Sequence, residues 1–258
     1  MCAVPAVPGP ARRGPAVGAD EDGRPPAARL VAEGAGGSAL AAGLRKMSAA
    51  ALRVVPGPEV EVYLRDQRRR GLPAVFDLGC GGHKTAGAFG VDAIRLPGVD
   101  LLHDLQARPY PLPDDCADEV VLSHVLEHFA EPLAVLEEVW RITRPGGRVA
   151  IRTPHYSGPF AWKDPTHRRA FSSESFGYFG ENGYSYYTRA RFRTERVRLK
   201  YFMEEEQWAR PYRAWARLVQ WVLDRHPTFG ERFLCYLVGG IDELQVTLEP
   251  VKPGPPEA

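Results

Sequence analysis

The sequence predicts an α/β protein built on a mostly parallel sheet, because short apolar runs alternate with helical patterns between residues 59 and 153. The run 119–123 is apolar enough for a strand that is buried on both faces, as strands of parallel sheets are. A second apolar run, 74–78, ends in an acidic residue and then breaks into glycines, which is typical of the edge where such sheets bind ligands. No internal repeat interrupts this pattern.

The predicted elements follow from local signals along the chain. A helix precedes the first strand and ends at Gly71, and a later helix begins near Pro132, a residue favoured at the first helical position. The segment 144–147 is predicted to end that later helix. A bulge is expected near Thr194, where the alternation of the sixth strand slips. The predicted strands are 74–78, 88–92, 99–102, 119–123, 148–153, 192–202 and 241–248, with helices at 59–70, 132–143, 208–223 and 229–238.

The last two predicted helices form an insertion between the last two strands, and we expect the final strand to be antiparallel. The chain has 258 residues and a formal net charge of +1, which suits one domain with tails and argues against a dedicated nucleic-acid binder. Its four cysteines form no CxxC pair, so neither a disulfide framework nor a zinc knuckle is indicated. A reducing, cytoplasmic location is therefore expected.

Three regions differ in composition. Residues 1–50 are mostly Ala, Gly, Pro and Arg without hydrophobic periodicity, which predicts a disordered tail. An alternative is that translation starts at Met47. Residues 51–250 are predicted to form the folded domain, and residues 251–258 a flexible C-terminus.

The glycine run after the first strand is the strongest motif. Residues 77–81 read Asp-Leu-Gly-Cys-Gly, and glycine without a Cβ lets ligand atoms lie against the backbone. We expect the N–H groups of such a turn to be free for a polar ligand. The Asp77 carboxylate suits a cationic or hydroxyl-rich group.

This run resembles the first motif of class I S-adenosylmethionine-dependent methyltransferases, and four further pieces follow in the same order. They are Asp92 after the second strand, Asp104 with Leu105, the run 123–128 after the fourth strand, and Arg-Pro-Gly-Gly at 144–147. The resemblance implies a Rossmann-like seven-stranded, mostly parallel sheet with helices on both faces, and methyl transfer from S-adenosylmethionine.

The resemblance also implies roles for individual residues. Asp77, Gly79 and Gly81 would hold the methionine end of S-adenosylmethionine, Asp92 its ribose, and Asp104 with Leu105 its adenine. Ser123 and His124 follow the fourth strand and complete this cofactor-binding set. Lys84 matches a branch of the family with the pattern Gly-Cys-Gly-x-x-Lys, and either reaches the cofactor carboxylate or is solvated.

The segment after the fifth strand carries the candidate catalytic residues. It contains His155, Asp164 and His167, and histidine suits proton transfer near neutral pH. We expect this segment to form the acceptor pocket, with His155 or His167 as base or positioning group. The alternative is a structural loop in which Asp164 caps a helix and the histidines bond to backbone.

Specific residues also bear on other possible functions. A nicotinamide-dependent oxidoreductase would need glycine at position 84, where Lys84 stands. The string His-Val-Leu-Glu-His at 124–128 matches a zinc-protease signature, but it follows a strand, so no metal is predicted. A divalent metal at Glu127 and His128 remains an alternative, as does a partner protein that binds the cofactor without catalysis.

The methyl acceptor is expected to be a small molecule or a glycan-type, lipid-linked molecule, methylated on oxygen or nitrogen, rather than nucleic acid. Residues 208–238 combine tryptophans with arginines at helical spacing, which permits contact with a membrane surface. The alternative for this stripe is a core or dimer face.

Overall fold

The computed structural model describes residues 56–180, 187–203 and 210–253. The predicted tail at 1–50 and residues 254–258 lie outside these ranges. The strands form one seven-stranded sheet in the order β3-β2-β1-β4-β5-β7-β6. They are β1 (Val75–Leu78), β2 (Phe89–Asp92), β3 (Leu101–Leu102), β4 (Ala117–Ser123), β5 (Thr143–Pro154), β6 (Phe192–Lys200) and β7 (Glu243–Pro250).

The direction of the strands confirms the predicted fold. Strands β1 to β5 pair in parallel in the order of a doubly wound sheet. Strand β7 is antiparallel to both of its neighbours, so it is the reversed strand of the sheet. The parallel strands therefore bring their carboxyl ends, and the segments that follow them, to one edge.

The helices pack around this sheet. Helix α1 (Pro58–Arg70) ends at Gly71, which takes the left-handed conformation with φ +63°, as predicted. The others are α2 (Pro132–Ile142), α3 (Phe160–Lys163), α4 (Arg210–Arg225), α5 (Pro227–Phe229), a π-helical turn (Gly230–Leu234) and α6 (Cys235–Leu237), with 3₁₀ turns at Leu126–His128 and Ser173–Phe179. Helices α4 to α6 form the predicted insertion between β6 and β7.

The core lies between the central strands and the helices. Phe76, Leu122 and Ile151, from β1, β4 and β5, are almost completely buried. Val139 of α2 packs into the same cluster. This continuous apolar packing fixes the strand ends, because protein interiors are close-packed and resist displacement.

Two irregularities shape the strands. The predicted bulge in β6 is confirmed between Thr194 and Arg196. Strand β5 begins at Thr143 instead of residue 148, because Thr143 already pairs with Ala117 before the register shifts. The Arg-Pro-Gly-Gly segment thus lies within β5 as an irregular stretch after helix α2 has ended.

Among the described residues, no helix combines the length and the hydropathy that crossing a membrane requires. The insertion exposes several large apolar side chains, and its expected contact with a membrane surface stays a prediction. These side chains include Trp215, Trp221, Phe233 and Leu237.

Candidate functional site

The turn after β1 depends on glycine at two positions. Gly79 and Gly81 have φ +73° and +53°, in the left-handed region that favours glycine. A Cβ on Gly79 would lie 2.2 Å from Cγ2 of Val125. Gly79 is therefore required because the segment after β4 passes directly against this turn.

The N–H groups of the turn are engaged within the chain, so the expectation that they are free is wrong for residues 79–81. Gly79 donates to the carbonyl oxygen of Val91 at 2.7 Å, and Cys80 lies 3.4 Å from the same oxygen. Gly81 donates to Oδ2 of Asp92 at 2.9 Å. The reason is that residues 79–88 fold back as tight turns without a helix, so their amides find partners nearby.

The turn consequently presents acceptors. Asp77 is 2% exposed, and its Oδ2 accepts the Thr85 N–H at 2.7 Å. Asp92 accepts from Gly81 and, through Oδ1, from the Ile94 N–H at 2.8 Å. Because a carboxylate has about four lone-pair positions, both can accept further bonds. A Cβ at Gly81 would meet nothing within 4 Å, so there is open space in front of the turn.

The other predicted cofactor residues lie along the same edge. Asp104 is exposed, and its Oδ1 accepts the Gln106 N–H at 2.9 Å. The Leu105 side chain is 4% exposed, so it supports this segment from the core. The Lys84 ammonium lies 2.7 Å from Oδ2 of Asp100, which also accepts the Gly90 N–H. The structure therefore pairs Lys84 with a carboxylate of the chain itself.

A cavity of about 560 Å³ opens at the carboxyl ends of β4 and β5. Two predicted catalytic residues, Asp164 and His167, line it together with His124. The full lining consists of His124, Glu127, His128, Pro154, Phe160, Lys163, Asp164, Pro165, His167 and Met203. Val125, which follows the lining residue His124 in the chain, packs against Gly79 of the glycine turn.

His124 lies between two carboxylates. Its Nε2 is 2.9 Å from Oε2 of Glu243, and its Nδ1 is 3.5 Å from Oε1 of Glu127. The interactions with Glu127 and Glu243 raise the pKa of His124 to about 9, although burial lowers it. Ser123, the last residue of β4, is partly buried and pairs with Arg152.

Glu127 is buried at the base of the cavity with an incompletely satisfied carboxylate. It is 1% exposed, and Oε2 accepts the Thr153 hydroxyl at 3.2 Å. Oε1 is buried without a hydrogen-bond partner. Its neighbouring imidazole nitrogens are Nδ1 of His124 at 3.5 Å and Nε2 of His167 at 4.0 Å. A buried carboxylate oxygen without a hydrogen bond is rare in a folded chain, so this atom is available to a ligand.

His155, which was predicted to lie in the acceptor pocket, is not among the residues that line this cavity. The side chain is fully buried. Its Nδ1 lies 2.8 Å from the Ser157 hydroxyl, and its Nε2 lies 3.2 Å from Oε1 of Glu231. Burial raises the pKa of the Glu231 carboxyl, but hydrogen bonds from His155 and Ser173 outweigh it and leave the pKa lowered. Both ring nitrogens are thus engaged inside the protein, mainly by side chains and not by the backbone that the structural-loop alternative expected.

Sequence reasoning missed Met203, which lines the cavity, and Glu243, which contacts the lining residue His124. Glu243 begins β7 and reaches His124 from 119 residues away, a contact that no local pattern carries. Met203 follows β6 and closes one side. Glu127 was identified only as an alternative metal ligand, although its position beside His128 in the segment after β4 was a usable signal.

Comparison with known proteins finds similarity to methyltransferases. Residues 76–151 match the family model of a methyltransferase domain. Over 61 residues the chain is 39% identical to a protein of Mycolicibacterium smegmatis named as a probable S-adenosylmethionine-dependent methyltransferase, covering 24% of this chain and 23% of that one. An uncharacterized methyltransferase of Mycobacterium leprae is 30% identical over 139 residues, covering 54% of this chain and 42% of that one.

The chain thus spans less than half the length of these curated relatives. A solved S-adenosylmethionine-dependent methyltransferase from Archaeoglobus fulgidus superposes with a TM-score of 0.44 at 17% identity, covering 75% of this chain and 95% of that one. The strand order, the glycine turn with its acidic residues and the matched family model lead to one conclusion. The chain carries a methyltransferase domain at residues 76–151, within a sheet of the architecture that the class I, S-adenosylmethionine-dependent type implies.

Proposed function

We propose that this chain transfers the methyl group of S-adenosylmethionine to an oxygen or nitrogen of a small-molecule or glycan-type acceptor bound in the cavity at the ends of β4 and β5. The observation that carries the proposal is the turn after β1, which offers carboxylates while its own N–H groups at residues 79–81 are engaged. A ligand for this edge must therefore bring donors: an ammonium, hydroxyls or an exocyclic amine.

The same observation argues against a nicotinamide dinucleotide. A pyrophosphate is held by free N–H groups and by the N-terminus of the helix that follows the glycine turn. Here residues 79–88 contain no helix. The buried Asp77 carboxylate would also repel a pyrophosphate.

Each of the three acidic residues can accept a hydrogen bond from a different donor group of S-adenosylmethionine. Asp77 would accept from its ammonium, Asp92 from the ribose hydroxyls and Asp104 from the adenine amine. When bound, the cofactor supplies a methyl group that its sulfonium makes electrophilic. The task of the chain is to align the acceptor with that methyl group and to exclude water.

The cavity suits a small acceptor with polar groups. Phe160 and Met203 give it apolar walls, while Lys163 and His167 bring polar groups to the same space. Its volume of about 560 Å³ falls within the usual range for small-molecule sites, roughly 300–1,000 Å³. Of the two predicted catalytic histidines, His167 is the one that lines this cavity, which supports it as the group that positions the acceptor or takes its proton.

Calorimetry with S-adenosylhomocysteine tests the cofactor assignment. Asp92→Asn should weaken binding at least about tenfold, because it removes charge-assisted bonds worth about 1.5–3 kcal/mol. Asp66→Asn, an exposed carboxylate on α1, is the matched control and should leave the affinity unchanged. Unchanged affinity in Asp92→Asn, or equal binding of NAD, would contradict the assignment.

Catalysis needs a separate measurement. The full chain is incubated with S-adenosylmethionine and one acceptor class at a time, and methylated product and S-adenosylhomocysteine are followed by mass spectrometry. Product from a small-molecule or glycan-type acceptor supports the proposal. Binding of S-adenosylhomocysteine without product from any acceptor class would favour a non-catalytic, cofactor-binding protein.

A further inference from the structure

Three potential ligand atoms meet at the base of the cavity without a bond between them. Glu127, His128 and His167 each contribute one, and the three atoms lie within 4.8 Å of one another. Oε1 of Glu127 is buried and has no hydrogen-bond partner. Nδ1 of His124 lies 3.5 Å from this oxygen without forming a hydrogen bond to it, so the buried carboxylate is incompletely satisfied and a cation here would be favourable.

The hydrogen bond at Nδ1 of His167 sets its tautomer. This nitrogen lies 3.1 Å from the carbonyl oxygen of Ala161. A carbonyl oxygen only accepts, so Nδ1 carries the proton and Nε2 of the neutral ring holds a lone pair. That Nε2 lies 4.0 Å from Oε1 of Glu127. Two acceptors thus face each other across this gap.

His128 is oriented in the same way through a relay. The Thr166 hydroxyl donates to Oδ1 of Asp164 at 2.7 Å. The same hydroxyl lies 2.9 Å from Nδ1 of His128. A hydroxyl has one proton, so Nδ1 of His128 donates to the hydroxyl oxygen, and Nε2 is left with its lone pair. Metal-binding histidines typically donate their other ring N–H to an acceptor in this manner.

The charge around the cluster also favours a cation. Glu127 and Glu243 both lie against His124. With both imidazoles neutral, the three candidate ligands Glu127, His128 and His167 together carry one negative charge. A divalent ion is therefore attracted to this position.

We propose that Glu127, His128 and His167 bind a divalent transition-metal ion, with Zn²⁺ as the ion that best matches their donors. Two imidazole nitrogens and one carboxylate oxygen form a set that holds Zn²⁺ and leaves a coordination position open. Ligand atoms around such an ion are about 3.3 Å apart, given bonds of about 2.0–2.1 Å. Binding therefore draws the three side chains together by about an ångström.

The site does not rest on the proposed methyl transfer, since it is defined by protein atoms alone. If both hold, the ion lies in the acceptor cavity, and its open position suits an acceptor oxygen. His167 then acts as a ligand instead of a base.

Metal binding to protein that carries no polyhistidine tag tests the site. The chain is stripped with a chelator and dialysed against Zn²⁺ or Co²⁺, and bound metal is measured by mass spectrometry. We expect about one ion per chain, a visible absorption band for bound Co²⁺, and no displacement by excess Mg²⁺, which prefers oxygen ligands. Absence of bound Zn²⁺, or displacement by Mg²⁺, overturns the proposal.

Zn²⁺ binding to substituted proteins tests which residues hold the ion. Glu127→Gln and His167→Gln should each weaken Zn²⁺ binding at least tenfold, whereas His226→Gln, an exposed histidine outside the cavity, should not. Thr166→Val breaks the relay to His128 and should weaken binding about tenfold, while Thr166→Ser should retain it. If Glu127→Gln does not fold, as judged by circular dichroism, His167→Gln and Thr166→Val carry the test.

Unchanged binding in His167→Gln together with Thr166→Val overturns the site. Because metal content is measured without cofactor or acceptor, its failure is distinguishable from a failure of S-adenosylhomocysteine binding.

Discussion

The buried site around His155 and the cavity that contains His128 and His167 both lie near the end of β5. They differ in how completely their polar atoms are hydrogen-bonded. His155 is fully buried, and Ser157 and Glu231 occupy its two ring nitrogens. In the cavity, His128 and His167 are partly exposed and lie near a carboxylate oxygen that makes no hydrogen bond. Residue type and spacing do not separate these groups, whereas the completeness of their hydrogen bonding does.

This difference in hydrogen bonding separates the polar groups that stabilise the fold from those that remain available to a ligand. The carboxylate of Glu231 binds His155 and Ser173, and so ties the insertion to the loop after β5. In the cavity cluster, by contrast, Oε1 of Glu127 forms no hydrogen bond to another residue. Satisfied buried networks rigidify a structure, and unsatisfied ones mark function.

The largest expected effect comes from breaking the satisfied group. His155→Leu should lower the free energy of unfolding by about 3 kcal/mol, because it leaves Glu231 buried without its partner. His167→Leu should lower it by less than about 1 kcal/mol in chelator-treated protein. Urea unfolding followed by circular dichroism measures both. Equal losses would mean that the two histidines have the same structural role.

The second expected effect is a pH dependence of stability. The lowered pKa of Glu231 means that its ionised form favours the fold. Its contribution is fully present above the ordinary value of 4.5 and is lost as pH falls through the lowered pKa. Glu231→Gln should therefore cost about 1.5–3 kcal/mol at pH 7.

That cost should shrink below pH 4.5, where the wild-type carboxyl also becomes neutral. Urea unfolding of both proteins across this range is the measurement, with Glu174→Gln as a control on an exposed neighbour. A cost that stays constant with pH would show that the charge of Glu231 is irrelevant to stability.

The smallest expected effect concerns Lys84. It tests whether a lysine that already has a partner in the chain is still available to a ligand. Its ammonium is already paired with Asp100 in a partly exposed ion pair. Lys84→Met should change the free energy of unfolding by less than about 1 kcal/mol and leave S-adenosylhomocysteine affinity within about twofold. A tenfold loss of affinity, measured by calorimetry, would instead favour the predicted contact of Lys84 with the cofactor.

Local patterns were sufficient for the fold. The alternation of apolar runs and helices located the strands to within a few residues, and the slip near Thr194 located a bulge. The start of β5 was misplaced because Thr143 pairs with Ala117, a partner that local sequence does not specify. The acidic residues in β1 and β2 and the glycines after β1 are also local signals, and the cofactor-binding role that they predict stays a prediction.

The chemistry at that edge was less accessible to sequence. The N–H groups of Gly79 and Gly81 donate to Val91 and Asp92. These hydrogen bonds depend on how residues 82–88 fold back. The role of Glu243 depends on β7 lying beside β5. His155 and His167 looked equivalent because burial, which separates them, is a tertiary property.

The position of β7 has a consequence for synthesis on the ribosome. This strand pairs with β5 on one side and β6 on the other, yet residues 201–242 are made between β6 and β7. At about 5–20 residues per second, translation needs roughly 2–8 s to cross that stretch. Throughout this delay the nascent chain displays an unpaired edge of β5, so the sheet closes only when residues 243–250 have left the exit tunnel.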